Sequence, residues 1–438
     1  MSVTIGIRHE DKYVTEKRTP LTPQHIEKLI QRDGLSFAVE SSSSRIFADE
    51  EYRKVGAKIT ANLTSCPVIM GVKEIPASYF EEGKTYIFFS HVIKGQSYNM
   101  PTLKQMMQMG CNLIDYERVI DEQGRRLIFF GRYAGLAGMI NSLWSLGERL
   151  KVMGYTDNPF LQIRQAYRYN SLAEARKDIS EAGIKISEKG LPTELLPLTI
   201  GFTGYGNVSN GAQEIASLLP IMEINPEQLA ELAHRSHLPN NIIYKVVFRE
   251  EHISKPIDSN TPFDLQDYYQ NPEKYENNFE QYLPHLTVLM NCMYWDDRYP
   301  RFFTRAFAQK LFAQGEPKIK VVGDVTCDPE GSIEFTHKGT QIDDPVFVYN
   351  PATGTPTMGF KGKGILVMAV DILPSELPRD SSKAFGDALL KYIKPIAEAD
   401  FNASFEELAL PAPIKKALIL HKGKLTPDYT YLNNYIPQ

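Results

Sequence analysis

The sequence predicts an α/β protein of two domains, each built on a largely parallel sheet, with a cleft between them. Two observations predict it. Short apolar runs of strand length alternate with helical segments along both halves of the chain, and one run breaks into a glycine-rich turn that opens a helix. Alternation of this kind is what repeated strand–helix–strand units produce. At 438 residues the chain is long enough for two or three cores.

Taken in order, "VTIGIR" reads as a first strand, and "TPQHIEKLIQRDG" as a helix with Pro near its start and Gly just past its end. "SFAVE", "PVIMGVK", "TYIFFSH" and "NLIDYERV" are further strand-like runs. "GLAGMINSLWSLGERLKVMG" predicts a long, mostly buried helix joining two domains. A second series comes after it in "LTIGFTG", "PIMEI", "HLTVLMNCMYW", "IKVVGDVTCD" and "GILVMAVDILP". Between the second and third of these lies a Tyr-rich stretch, "DLQDYYQNPEKYENNFEQYLP", read as an insertion near 255–285 on the surface or at a domain contact. The amphipathic tail segment "AFGDALLKYIKPIAEA" is expected to pack back onto the first domain. The expected domains are therefore 1–134, completed by helices from 380–438, and 135–379. The methionines around Met106 read as helix packing.

Net charge is −5, so nothing favours a nucleic-acid partner. Cys66, Cys111, Cys292 and Cys327 are scattered and form no CxxC pair, which argues against a zinc site or a disulfide framework and fits a reducing compartment. The start has no signal-peptide pattern. No apolar run reaches the roughly 18 residues that span a bilayer. A cytoplasmic protein with no membrane partner and no metal is expected.

The turn in "LTIGFTGYGNVSNGAQEI" has Gly204, Gly206 and Gly211 between a strand and a helix, with Asn207, Val208 and Ser209 among them. Glycine admits positive φ and close backbone approach, and a helix start offers free N–H groups and a positive dipole end to a pyrophosphate. The pattern departs from the dinucleotide fingerprint, because Ser209 takes the slot of the third glycine. A tight turn in some other α/β domain has the same spacing. Glu223, nineteen positions after Gly204, stands where an acid would bond an adenosine ribose. Such an acid favours NAD(H) by repelling a 2′-phosphate; a solvated strand-end glutamate reads the same. With a cofactor of this class, both domains become Rossmann-like.

A second set of polar residues comes directly after apolar strands in the first half. Arg18 precedes a helix, Lys73 and Glu74 end "VIMGVKE", His91 ends "TYIFFSH", and Glu117, Arg125, Arg126 and Arg132 lie in "IDYERVIDEQGRRLIFFGRYAG". Ligands bind at the carboxyl ends of parallel strands, so the group is informative although a single His or Lys there is more often a surface or capping residue.

These segments resemble the superfamily of alanine dehydrogenase, the NAD-binding component of transhydrogenase and lysine-forming saccharopine dehydrogenase. The resemblance is greatest to the saccharopine-forming lysine-ketoglutarate reductase half of aminoadipic semialdehyde synthase. It runs through "RHEDKYVTEKRTPLTPQHI", "VIMGVKE", "FFSHVIKGQ", "FGRYAGLAGMIN", "FTGYGNVSNGAQEI", "NCMYWDDRYPRFFT", "GDVTCDPEGSIEF" and "GILVMAVDILPSELPRDSS". It implies Lys73 and His91 beside the substrate, Glu74 and Glu117 as their paired acids, and Arg18 and Arg126 on substrate carboxylates. At the "DVTCD" strand end it implies Asp328, rather than Asp324, in the site. The eukaryotic reductase resembled uses NADPH, against the reading of Glu223, so NADP and NAD both stand. The chain has no room for the glutamate-forming half, so a separate glutamate-forming saccharopine dehydrogenase is the expected consumer of the product.

The implied reaction joins L-lysine and 2-oxoglutarate and reduces the imine to saccharopine. His91 serves as base toward the lysine amine and Lys73 as acid at the ketone oxygen. The glycine turn is expected to face Lys73 and His91. An alanine dehydrogenase-like amino-acid dehydrogenase and a non-catalytic NAD(P)-binding sensor are the alternatives.

Overall fold

A computed structural model of the chain describes residues 3–235 and 237–437. Its backbone divides into two units, Met1–Phe130 with Pro378–Gln438, and Gly131–Leu377.

In the first unit the apolar runs become parallel strands β1 (Thr4–Ile7), β2 (Ser36–Glu40), β3 (Lys58–Thr60), β4 (Val68–Met70), β5 (Thr85–Phe88) and β6 (Asn112–Asp115), in the spatial order β6-β5-β4-β1-β2-β3. A C-terminal hairpin, Leu418–His421 and Lys424–Leu425, adds antiparallel along β6. Residues of β4, β5 and β6 are buried throughout, as expected where both faces of a parallel sheet are covered. Helix α1 (Pro23–Asp33) starts on proline and stops at Gly34, whose φ of 65° is left-handed. Its Ile26 and Leu29 pack with Phe385, Leu389 and Ile393 of the helix Pro378–Glu398. This is the amphipathic tail folded back as the sequence suggests. Helix α2 (Met100–Gln108) buries Leu103 and Met106 against the opposite sheet face.

The second unit has parallel strands β7 (Thr199–Thr203), β8 (Ile221–Glu223) and β9 (Ile243–Phe248), then a two-stranded ribbon, β10 (Ser254–Pro256) with β11 (Tyr275–Asn277). The main sheet continues with β12 (Val288–Asn291), β13 (Val321–Asp324), β14 (Val346–Asn350), β15 (Thr355–Met358) and β16 (Ile365–Met368). Its order is β15-β14-β16-β13-β12-β7-β9-β8, with β14 alone running against the others. The strand beside β7 is therefore β9, a run absent from the sequence reading, and β8 lies at the edge.

Helix α3 (Gly131–Val152) crosses this sheet with nearly all its central residues buried. It meets α4 (Asn207–Ala216) backbone to backbone: a Cβ on Gly135 would come 1.8 Å from the Val208 carbonyl oxygen, and one on Gly211 would come 2.1 Å from that of Arg132. The two largely parallel sheets agree with the α/β fold expected.

Candidate functional site

In the first unit the strand order reverses between β1 and β4, and the chemistry-bearing residues collect at the carboxyl ends there. Lys73 and Glu74 come after β4, His91 after β5, and Glu117 after β6. They form a row of alternating charge. Lys12 Nζ lies 2.5 Å from Glu74 Oε1, which is 3.9 Å from His91 Nε2. His91 Nδ1 is 3.6 Å from Glu117 Oε2, and Arg126 Nη2 donates to Glu117 Oε1. The structure thus brings Lys73, Glu74, His91, Glu117 and Arg126 to one sheet edge. It adds Lys12, absent from the sequence reading although it stands after β1 as Lys73 stands after β4.

The His91 ring stacks on Phe89 with centroids 6.1 Å apart, and its backbone is left-handed at φ 54°. The His91 ring and then the Arg126 guanidinium hold the Glu117 carboxyl below its ordinary range against burial. For Glu74 burial works upward, but the hydrogen bond to Lys12 prevails and the carboxyl stays low. Its second oxygen is buried without a hydrogen-bond partner among the described residues. Lys73 is half-buried, and burial followed by the nearby Arg18 charge lowers its ammonium from the usual value. No ion pair within 4.0 Å engages Lys73 among the described residues, and its Nζ lies 5.9 Å from the Tyr13 ring centre. A lysine poised to yield its proton, and in no ion pair within 4.0 Å among the described residues, suits acid–base work.

Beneath this row is an acid that the sequence reading lacks. Glu10 accepts the N–H of Val72 at 2.7 Å and of Lys73 at 2.8 Å, fixing the turn that carries Lys73 and Glu74. Burial, then the Glu16 charge, push its carboxyl up to about 7.

Arg18 is held by a neighbouring acid. The resemblance gives it a free fork for a substrate carboxylate. Instead Nε donates to Glu16 Oε1 at 2.8 Å and Nη2 to Glu16 Oε2 at 2.6 Å, while the guanidinium stacks 4.2 Å over Phe130. At 4% exposure its Nε–Nη2 edge is engaged by a neighbour two residues away. Arg126, with a side chain 52% exposed, remains the arginine of the row open to an anion.

In the second unit the β7–α4 turn has the geometry the glycines suggest. Gly204 has φ 77°, a conformation that favours glycine. Gly206 is the N-cap of α4, and a Cβ there would meet nothing within 4 Å. Asn207 and Val208 form the first turn of α4, and Ser209 is fully buried, its hydroxyl accepting from Gln213 Nε2 at 3.0 Å. Gly211 faces Arg132 of α3 and serves helix packing, so it is not the ligand-facing position expected.

Glu223 is also corrected. It ends edge strand β8, one strand further from β7 than its spacing implies, is 62% exposed and pairs with Lys245 at 2.6 Å. The strand beside β7 ends instead in Arg249 and Glu250. Glu250 joins Gly204, Gly206, Tyr269, Met293 and Tyr299 around a cavity of about 390 Å³. Its carboxylate accepts the Tyr269 hydroxyl at 2.8 Å. Arg249 lies 4.9 Å over the Tyr205 ring, with no ion pair among the described residues. Tyr268 and Tyr269, from the Tyr-rich segment, wall this cavity, so that segment is part of the glycine-turn site rather than a surface ornament. An open space before a helix N-terminus, walled by aromatic rings and a carboxylate, fits a dinucleotide.

Asp324 is buried at the end of β13, where it accepts from Asn291 at 2.7 Å and Thr336 at 2.6 Å; burial pushes it up to about 6. Asp328 is exposed in the next turn, its carbonyl accepting the Gly331 N–H at 3.0 Å. Among the described residues no cluster of metal-ligating side chains occurs, and no helix is long and apolar enough to cross a membrane.

The chain matches the family model "Alanine dehydrogenase/PNT, N-terminal domain" over residues 6–137 and "Alanine dehydrogenase/PNT, C-terminal domain" over 317–428. It is 38% identical over 98% of its length to an alpha-aminoadipic semialdehyde synthase of Arabidopsis thaliana, of which it spans 41%. A saccharopine dehydrogenase [NAD(+), L-lysine-forming] of Emericella nidulans is 26% identical over 88% of this chain and 90% of its own length. Among solved structures an L-alanine dehydrogenase superposes with a TM-score of 0.59 at 17% identity, covering 99% of this chain and 100% of that one. The fold, the motifs and these matches agree: the chain belongs to the alanine dehydrogenase/PNT family.

Proposed function

We propose that the protein is an NAD(P)-dependent oxidoreductase that condenses L-lysine with 2-oxoglutarate and reduces the product to saccharopine, reversibly. The observation that carries this reading is the charge row at the carboxyl ends of β4, β5 and β6, with Lys73 beside it and in no ion pair among the described residues. Similarity to alpha-aminoadipic semialdehyde synthases and to NAD(+)-linked saccharopine dehydrogenases supports the substrate class.

His91 takes a proton from the lysine ε-ammonium, freeing its nitrogen to attack the ketone carbon of 2-oxoglutarate. Glu117 and Glu74, one on either ring nitrogen, orient the imidazole and stabilise it when protonated. Lys73 hydrogen-bonds the ketone oxygen and gives its proton as the carbinolamine loses water, a transfer its lowered ammonium favours. Arg126, anchored on Glu117, meets a substrate carboxylate with its remaining donors. Gly204, Gly206 and the α4 N-terminus would hold the reduced dinucleotide, which would supply the hydride. Glu250 and Arg249, rather than Glu223, are the charges beside the glycine strand that read its ribose. Asp328 is assigned to the substrate side by family resemblance.

The test is oxidation of NADH and NADPH against lysine, ornithine or ammonia, each with 2-oxoglutarate or pyruvate. Turnover only with lysine and 2-oxoglutarate is expected; turnover with ammonia and pyruvate would make the protein an alanine dehydrogenase. Lys73→Met and His91→Gln should each lower turnover about a hundred-fold or more while dinucleotide binding persists. Intact turnover in His91→Gln would overturn the acid–base assignment.

A further inference from the structure

The loop that carries His91 is held by the far end of the chain. His91 enters it in a left-handed conformation (φ 54°, ψ 23°), one helical turn spans Val92–Lys94, and Gly95 leaves it left-handed at φ 64°. A non-glycine residue persists in that region only where its surroundings over-determine it. Three restraints do so here. Asn99 Nδ2 donates to the His91 carbonyl at 2.9 Å. The Tyr431 hydroxyl donates to the Ile93 carbonyl at 2.7 Å. The Tyr435 ring lies flush on Gly95, where a Cβ would come 2.4 Å from Tyr435 Cγ.

The same terminal segment reaches the other side of the His91–Glu117 pair. Tyr429, fully buried, accepts from Arg118 Nε at 3.0 Å and donates to the Lys416 carbonyl at 2.6 Å. Arg118 is the residue after Glu117. Val92, Tyr429 and Leu432 share one apolar core, and Lys104 Nζ caps the segment at the Pro437 carbonyl, 2.8 Å away. Two loops, each bearing one member of a catalytic pair, are thus gripped by tyrosines spaced two residues apart on Pro427–Asn434.

We propose that Tyr431 and Tyr435, with Tyr429 on the Glu117 side, are positioning residues that set the His91–Glu117 geometry for proton transfer. This inference rests on the acid–base role given to His91 above. The hydroxyl of Tyr431 is the cleanest point of attack, since the residue is 43% exposed and its ring need not move.

Glu117 reports on that geometry. The groups facing it are His91, Arg126, Lys94 and Asp115, and His91 is the foremost cause of its low carboxyl. If the loop relaxes and the imidazole withdraws, the Glu117 carboxyl rises toward its ordinary range.

The experiment compares Tyr431→Phe, Tyr435→Leu and His91→Gln with the parent full-length chain. The readouts are kcat, KM for lysine and 2-oxoglutarate, and dinucleotide affinity by fluorescence. Tyr431→Phe should lower kcat about ten-fold, as a displaced catalytic group does. KM and dinucleotide affinity should stay within about two-fold, and Tyr435→Leu should show the same pattern. An unchanged kcat in Tyr431→Phe, with His91→Gln inactive, overturns the positioning role and leaves the function standing. Loss of dinucleotide affinity in parallel with kcat also overturns it, since that marks general damage. Full activity in His91→Gln overturns the underlying reading itself.

Discussion

Replacing Glu10 with glutamine should flatten the pH dependence of the first unit's stability. Glu10 is 7% exposed, and burial, then Glu16, raise its carboxyl from 4.5 to about 7. A carboxyl raised on folding binds its proton more tightly in the native chain than in the unfolded one. Its favourable contribution is therefore complete at low pH and is lost as pH climbs from 4.5 through 7. The span of about 2.5 units at 1.36 kcal/mol each amounts to about 3 kcal/mol. Glutamine carries no charge but offers one acceptor where the carboxylate offers two. One of the N–H groups of Val72 and Lys73 then faces an amide NH₂, at a pH-independent cost of about 1–3 kcal/mol. Wild type should be the more stable protein near pH 4.5, and the two curves should converge or cross by pH 8. Urea unfolding monitored by far-UV circular dichroism measures this. Parallel stability curves for the two proteins across that range would refute the burial argument.

Gly211→Ala should destabilise the second unit by about 2–3 kcal/mol, because its Cβ would drive into the Arg132 carbonyl; tryptophan-detected melting reads it. Glu223→Gln should leave NADH and NADPH affinities within about two-fold, whereas Glu250→Gln should weaken dinucleotide binding about ten-fold by removing a buried acceptor; fluorescence titration decides between them. Arg126→Ala should raise KM for 2-oxoglutarate about ten-fold with a smaller change in kcat, since a carboxylate loses one charge-assisted partner.

The strands that the sequence displays best are those buried on both faces, where nothing interrupts the apolar run. β4, β5, β6, β7, β12 and β13 are of this kind. β9 escapes notice because "IIYKVVF" contains Lys245, and a lysine within a run reads as surface. The fold makes that lysine half-buried by pairing it with Glu223 across the sheet edge. One omission produces the other: with β9 missing, β8 looks like the neighbour of β7, and the acid at its end looks like a ribose ligand. Chain order then stands in for spatial order, which in a wound sheet it need not match.

Arg18 is a different case. Residue type and spacing mark it as an anion binder, and it is one, but the anion is Glu16 in the same short stretch. Whether a guanidinium fork closes on a local acid depends on backbone path, which composition does not encode. Glu10 and Lys12 are legible by the rule that finds Lys73, since they come after β1 as Lys73 comes after β4. These two strands are adjacent and parallel, so the residues leaving one strand end meet those leaving the other. Applied to every strand, the rule recovers Glu10 and Lys12 along with the row they support. It also directs attention to Arg249 and Glu250 once β9 is recognised. The polar residues of a parallel sheet are best read as a set across neighbouring strand ends, and the neighbours must be known before any one residue is assigned.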